Sequence, residues 1–176
     1  MKLGQYIVRL DDWLLDDVCQ PVADKLPERL SAFETGMSCQ LGAILFSAVS
    51  IIATFIETGF KGIWETVFNI FVWGLCVSFF IGLGRFRGLV RADRPNPLRH
   101  MLFSVRVLSV PLIPYVIYQA MTSSVDSSIS AWFDAFSNIV FTVGLYFISC
   151  QPRPPYKQSN EKTWYKTTVG QGAGFS

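Results

Sequence analysis

Residues 36–56 read GMSCQLGAILFSAVSIIATFI, a run of 21 positions without a single charged side chain. As a helix with a rise of about 1.5 Å per residue, this run matches the roughly 30 Å hydrocarbon core of a bilayer. Three further apolar runs have similar length and contain one charged residue each, at Glu65, Arg106 and Asp134 respectively. The sequence therefore predicts an all-α polytopic membrane protein with four transmembrane helices, at residues 36–56, 64–83, 101–121 and 130–149.

The composition supports this class of fold. Of the 176 residues, 51% are hydrophobic and only 16% are charged, whereas soluble domains usually carry about 25% charged residues. The charged residues are concentrated in the segments that flank the four apolar runs. This distribution divides the chain into an N-terminal segment (1–35), a transmembrane domain (36–149) with a basic loop (84–100), and a C-terminal tail (150–176).

The basic loop reads RFRGLVRADRPNPLRH from residue 85 and determines the predicted orientation. Loops on the cytoplasmic side of a membrane carry the excess of lysine and arginine. The tail is also basic, whereas the segments between spans one and two and between spans three and four contain few basic residues. We therefore expect both termini and the basic loop to be cytoplasmic, in a bacterial inner (plasma) membrane.

Five arginines in the basic loop are candidate binding residues. The planar guanidinium group matches phosphate oxygens, and basic residues beside a membrane attract anionic lipid. Anionic lipid headgroups or an acidic partner protein are the expected ligands, and the alternative is that the side chains only anchor the topology. The five residues are Arg85, Arg87, Arg91, Arg94 and Arg99.

The N-terminal segment has apolar residues at helical spacing and four nearby aspartates. Amphipathic cytoplasmic helices along the inner membrane surface would bury such a stripe, formed by Leu3, Ile7, Leu10, Leu14 and Val18. Because the inner leaflet is usually anionic, we expect the aspartates to form ion pairs with the basic loop, at Arg85, Arg87, Arg91 or Arg94. Arg106 is expected to extend to the lipid headgroups. The tail is expected to be flexible because it has too few apolar residues to fold alone.

Span two has small residues four apart on one face, at Gly74, Ser78 and Gly82. Small residues in this pattern allow another transmembrane helix to approach closely. The pattern predicts that span two is either central in the bundle or part of a contact with a partner protein or a second copy.

Two polar stripes begin near the predicted outer side, one at Glu65 and Asn69 and the other at Asp134 and Asn138. Ionisable groups at membrane depth often face the bundle interior and mark ion or proton pathways. One interpretation is a hydrated pathway lined by these four residues. The other is hydrogen bonding between helices, with both acids near the outer interface.

Residue types that common catalytic and metal sites require are scarce. His100 is the only histidine, so sites built from several histidines cannot form within one chain. The four cysteines have no CxxC spacing and are expected to be reduced and packed. We assign no catalytic residue, no metal ligand and no cofactor, and we expect no nucleic-acid partner.

Three functions are compatible with these features. The first is a non-catalytic membrane scaffold or accessory subunit of a larger assembly. The second is an oligomeric pore or membrane-permeabilising (holin-like) protein. The third is a small membrane enzyme acting on a phospholipid head, which would need Arg91, Asp93, Arg94 and His100 to form one cluster.

Overall fold

The structure is a computed structural model and describes residues 3–27, 30–58, 63–91, 94–123 and 128–152. The described residues contain helices and turns and no strand. The elements are α1 (Leu3–Trp13), a π-helical segment (Leu14–Cys19), α2 (Gln20–Ala23), α3 (Ala32–Thr58), α4 (Ile63–Arg85), a 3₁₀ turn (Phe86–Leu89), α5 (Leu98–Met101), α6 (Phe103–Thr122) and α7 (Ser128–Ser149).

Four of these helices, α3, α4, α6 and α7, are long and apolar enough to cross a membrane. This confirms the predicted fold class, a helical membrane protein. Most of the C-terminal tail, from residue 153 onward, lies outside the described residues, and so does the prediction of its flexibility.

The centre of the bundle is an antiparallel pair formed by α3 and α7. Small residues recur every seven positions on both helices, at Gly36, Ala43 and Ser50 and at Ser130, Ser137 and Gly144. The Ser137 hydroxyl donates to the Ala43 carbonyl over 2.8 Å, and the Ser50 hydroxyl donates to the Ser130 carbonyl over 2.9 Å. The spacing of seven keeps the small side chains on one seam, so the two backbones stay close along most of their length.

The closest approach of the two helices is at Gly36 and Gly144. A Cβ atom at Gly36 would lie 2.7 Å from the Gly144 carbonyl oxygen and 2.6 Å from a side-chain carbon of Ile148. Only glycine fits at this crossing, because the neighbouring atoms include backbone that cannot move aside.

The other two long helices flank this pair, with α6 against α7 and α4 against α3. Beyond α3, α4 contacts α7 through Phe79 and Phe141, whose ring centroids are 6.0 Å apart. Only 6% of the apolar stretch of α4 is buried inside the protein, compared with 39% of the apolar stretch of α7. The prediction that span two is central in the bundle is therefore wrong, and α4 lies at its periphery.

The two ends of the bundle differ in packing. At one end, here called the arginine end, a cluster of buried side chains joins α3, α4, α5, α6 and α7: Phe33, Leu83, Leu98, Leu102, Leu145 and Ile148. The opposite end, where α3 and α6 finish and α4 and α7 begin, is here called the distal end. Residues there enclose a cavity between the flanking helices.

The N-terminal segment folds against the arginine end, with α1 contacting α6 and the π-helical segment contacting α7. Its side chains that pack on the bundle include Asp11 and Leu15, which are buried, and Leu14, which is partly buried. Ile7, Leu10 and Val18 of the predicted apolar stripe are exposed, so they are available to lipid and do not pack on the bundle.

Candidate functional site

A polar cavity of about 360 Å³ lies in the distal half of the bundle. All four long helices contribute to its wall. Ile51, Val72 and Ala131 supply apolar contacts, and the polar residues that line it are Ser47, Ser50, Thr54, Asn69, Gln119, Ser123, Ser130 and Asp134.

Three of the serine hydroxyl groups around this cavity donate their protons to the protein itself. Ser50 and Ser123 donate to the backbone carbonyls of Ser130 and Ala120 over 2.9 and 2.8 Å. Ser130 donates to a carboxylate oxygen of Glu57 over 2.8 Å. A hydroxyl has one proton and two lone pairs, so these oxygens can offer only lone pairs to anything inside the cavity.

Asp134 supplies a carboxylate to the same cavity. Within the described part of the chain, this carboxylate has no ion-pair or hydrogen-bond partner. Apart from the helical backbone bonds, Asp134 only accepts a hydrogen bond from the Asn138 side-chain amide at its backbone carbonyl, at 2.9 Å. The structure thus brings Asn69 and Asp134 together at the cavity. Asn138 is not among the lining residues, and the Glu65 side chain lies outside the described residues.

A second polar centre lies at the arginine end and is fully enclosed. Arg106 and Asp11 have relative exposures of 1% and 3% and form a two-pronged ion pair. The Arg106 Nε donates to Asp11 Oδ1 over 3.0 Å, and Nη2 donates to Oδ2 over 2.6 Å. Hydrogen bonding of both carboxylate oxygens is what allows two charges to remain paired away from water.

Neighbouring groups complete this centre. The Arg106 Nη1 donates to the Arg99 carbonyl and to the Ser149 hydroxyl, over 2.9 and 2.7 Å. The Tyr146 hydroxyl donates to Asp11 over 3.0 Å, and the guanidinium carbon lies 5.5 Å from the centre of the Tyr146 ring. This network joins α1, α6 and α7. Arg106 therefore does not extend to lipid headgroups as expected, because Asp11 reaches it inside the protein.

Arg99 adds an exposed ion-pair cluster beside this centre. Its guanidinium group lies 2.7 Å from Asp16 and 3.3 Å from Asp12. The pKa of Arg99 is raised, chiefly because its guanidinium group forms a hydrogen bond with Asp16. These contacts hold α1 and the π-helical segment against α5.

The expected ion pairs between the N-terminal aspartates and the basic loop are wrong in the choice of arginines. Asp11, Asp12 and Asp16 pair with Arg106 and Arg99. The reason is that α1 lies against α6, whereas Arg85 and Arg87 lie at or just after the end of α4, which packs on α3. Arg87 forms an ion pair with Glu34 instead. Arg85, Arg87, Arg91 and Arg94 are exposed, as is His100, and Asp93 lies outside the described residues.

Asn96 stabilises the fold and was not identified from the sequence. Its buried amide donates to the carbonyls of Ile148 and Cys150 over 2.8 and 2.9 Å, at the end of α7. The last carbonyls of a helix have no partner within it, so a side-chain amide there stabilises the helix end. The signal was an asparagine between two prolines, Pro95 and Pro97, where a tight turn is expected.

Two cysteines lie near this helix end. Burial raises the pKa of Cys19, and burial raises the pKa of Cys150 to about 12. A thiol with a raised pKa reacts slowly because the thiolate is the nucleophile. In the part of the chain that the structure describes, no three histidine, cysteine or acidic residues are grouped so that they could hold a metal ion.

No known protein family matches the chain, and no curated protein or solved structure matches it significantly.

Proposed function

We propose that this protein is a non-catalytic scaffold or accessory subunit of a larger membrane assembly, and that α4 binds a transmembrane helix of a partner protein. The observation that carries this proposal is the position of the small residues of α4. A Cβ atom added at Gly74 or at Gly82 would meet nothing within 4 Å. A face suited to close helix packing is therefore left unused by the chain itself.

The orientation of α4 supports the same assignment. Trp73 and Leu83 face the protein, since the Trp73 indole donates to the Ile44 carbonyl over 3.1 Å and Leu83 belongs to the buried cluster. Gly74, Ser78 and Gly82 lie on the opposite side of the helix, at the angle that a period of 3.6 residues gives. The Ser78 hydroxyl donates to the Gly74 carbonyl, so it has no unmet proton in an apolar interface.

The arginine end supports a scaffold rather than a catalyst. Its charged groups are engaged in contacts that fix α1, α5, α6 and α7 to each other. Arg85 and Arg91 of the basic loop, which are exposed, then offer positive charge to anionic lipid or to an acidic surface of the partner.

Extraction in a mild detergent, followed by measurement of the mass of the tagged native particle, tests the proposal. We expect the particle to contain a second polypeptide, and Ser78→Leu to release it because the larger side chain keeps the helices apart. Ser104→Leu is the matched control, since Ser104 is exposed on α6. A particle with the mass of one chain would contradict the proposal.

A pore formed by several copies is the second candidate, and the polar cavity is the observation that favours it. Within one chain the packed cluster at the arginine end closes this cavity, so a passage would have to form between copies. Leakage of a small dye from vesicles that contain only this protein would favour the pore, and a particle made only of copies of the chain would agree with it.

A further inference from the structure

The distal cavity is separate from the small-residue face of α4, and its wall is unusually polar for a space between transmembrane helices. Uncompensated polar surface is costly in the hydrocarbon region, and polar groups there line water or a ligand. Eight of the residues that line this cavity are polar, and they come from four different helices. Its contents must therefore be water, a polar ligand, or both.

Several oxygen atoms of the wall can accept hydrogen bonds from an occupant. Ser50 and Ser123 have given their protons to backbone carbonyls, and Ser130 has given its proton to Glu57. The Ser50 and Ser123 oxygens keep lone pairs, and the side-chain amides of Asn69 and Gln119 add a carbonyl acceptor each, beside their N–H donors. These oxygens can serve an occupant that donates hydrogen bonds or carries a positive charge, and the charge of the wall selects between the two signs.

The charge of the wall points in the same direction. The Asp134 carboxylate is not neutralised by any ion pair within the described residues, and neither lysine nor arginine is among the described residues that line the cavity. A carboxylate that is partly removed from bulk water attracts cations more strongly than it would in water.

We propose that this cavity is a binding site for a small monovalent cation, either an alkali ion or a small primary ammonium group, with Asp134 as its counter-ion. Oxygens of Ser50, Asn69, Gln119 and Ser123 are the neutral ligands. One described carboxylate matches one positive charge, whereas calcium and magnesium are usually bound by more than one carboxylate or by phosphates. The volume leaves room for several water molecules beside the ion.

The position of the cavity makes this a binding site and not a passage. Ser123 lies at the end of α6 and Asp134 lies less than two turns from the start of α7, so both are near the distal end. The packed cluster closes the opposite end. The inference is independent of the assembly role proposed for α4, because the cavity wall and the small-residue face are different surfaces.

Thermal unfolding of the full-length purified chain in detergent tests the site. The salt is N-methylglucamine chloride, replaced at equal concentration by sodium, potassium or methylammonium chloride. We expect at least one small cation to raise Tm. Comparison of the alkali salts with methylammonium chloride shows whether the site binds an alkali ion or a primary ammonium group. Asp134→Asn is expected to abolish the increase and Asp17→Asn, at an exposed position outside the cavity, to keep it. Equal Tm in all four salts, or a full increase in Asp134→Asn, would overturn the proposal.

A labelling experiment in native membranes gives a second readout that does not require purification. Ser123→Cys is treated with a cationic or an anionic methanethiosulfonate of similar size, with the unsubstituted chain as the baseline for the four native cysteines. We expect the cationic reagent to react about tenfold faster, because a negative site concentrates cations. Addition of Asp134→Asn should remove the preference. Equal rates for the two reagents at Ser123→Cys would contradict the proposal even if Asp134→Asn fails to fold.

Discussion

The arginine end and the distal end of this bundle both contain charged groups, but these groups are paired at the arginine end, whereas Asp134 at the distal end has no partner among the described residues. At the arginine end, Arg106 and Asp11 are enclosed and every oxygen of the carboxylate has a donor. At the distal end, the Asp134 carboxylate faces a cavity without a partner among the described residues. A charge that is fully paired serves to hold helices together, whereas an unpaired one at membrane depth is available to a ligand.

The difference also appears in how α3 and α7 meet along their length. Near the arginine end they touch at Gly36 and Gly144, with backbone against backbone. Toward the distal end, serine hydroxyls bridge the pair, and residues of all four long helices line the cavity. Tight packing therefore closes one end of the molecule and leaves the other open.

The largest expected effect is loss of the buried ion pair. Asp11→Asn keeps the shape of the side chain but leaves the Arg106 charge uncompensated, which should destabilise the docked N-terminal segment by about 3–5 kcal/mol. Unfolding in mixed detergent micelles and proteolysis of residues 3–23 would measure this. Asp17→Asn is the control and should change stability by less than about 0.5 kcal/mol.

A double variant separates the charge from the packing at the same position. Asp11→Leu with Arg106→Met removes both charges, and we expect it to regain part of the stability that Asp11→Asn loses. Equal or greater loss in the double variant would mean that the hydrogen bonds to Tyr146 and Ser149, rather than the unpaired charge, account for the effect.

The next effect concerns the helix crossing at the arginine end. Gly36→Ala would place a Cβ atom 2.7 Å from the Gly144 carbonyl oxygen, so we expect a loss of about 1–3 kcal/mol through overpacking. Gly74→Ala is the matched control, because its Cβ atom would meet nothing within 4 Å. In the isolated chain it should be neutral or stabilising by up to about 1 kcal/mol, since alanine favours a helix more than glycine does.

A smaller effect is expected for the exposed ion pairs beside the buried one. The Arg99 side chain is 37% exposed, so Arg99→Ala should cost only about 0.2–1 kcal/mol. Because salt screens exposed charges, this loss should shrink in high salt, whereas that of Asp11→Asn should persist. A loss from Arg99→Ala as large and as salt-resistant as that from Asp11→Asn would show that the two pairs are equally enclosed.

The smallest effect is expected at the distal end. In N-methylglucamine chloride, Asp134→Asn should change stability by no more than about 0.5 kcal/mol, because the carboxylate has no described partner to lose. The same unfolding measurement used for Asp11→Asn checks this. A loss comparable to that of Asp11→Asn would mean that Asp134 is a structural residue, and the contrast between the two ends would fail.

Some site features were readable from local pattern and others were not. The polar residues Asn69 and Asp134 stood out because polar groups are rare in apolar helices, and the structure brings both to the cavity. Gln119, Ser123 and Ser130 were not identified, although they line the same cavity, because serine and glutamine near the ends of apolar runs are common. The seven-residue spacing of Gly36, Ala43 and Ser50 marks the helix crossing within the chain. The four-residue spacing of the small residues in α4 does not mark a contact within the chain.

The four transmembrane helices and the block of arginines followed from the sequence alone, because the partition between lipid and water is a sum of contributions from neighbouring residues. The partner of Arg106 is 95 positions away, and no local sum identifies it. Which residues meet depends on how each helix is rotated about its axis and on which neighbours exclude the others. Only the tertiary structure decides that Asp11 closes one end of the bundle and that Asp134 is left facing the cavity at the other.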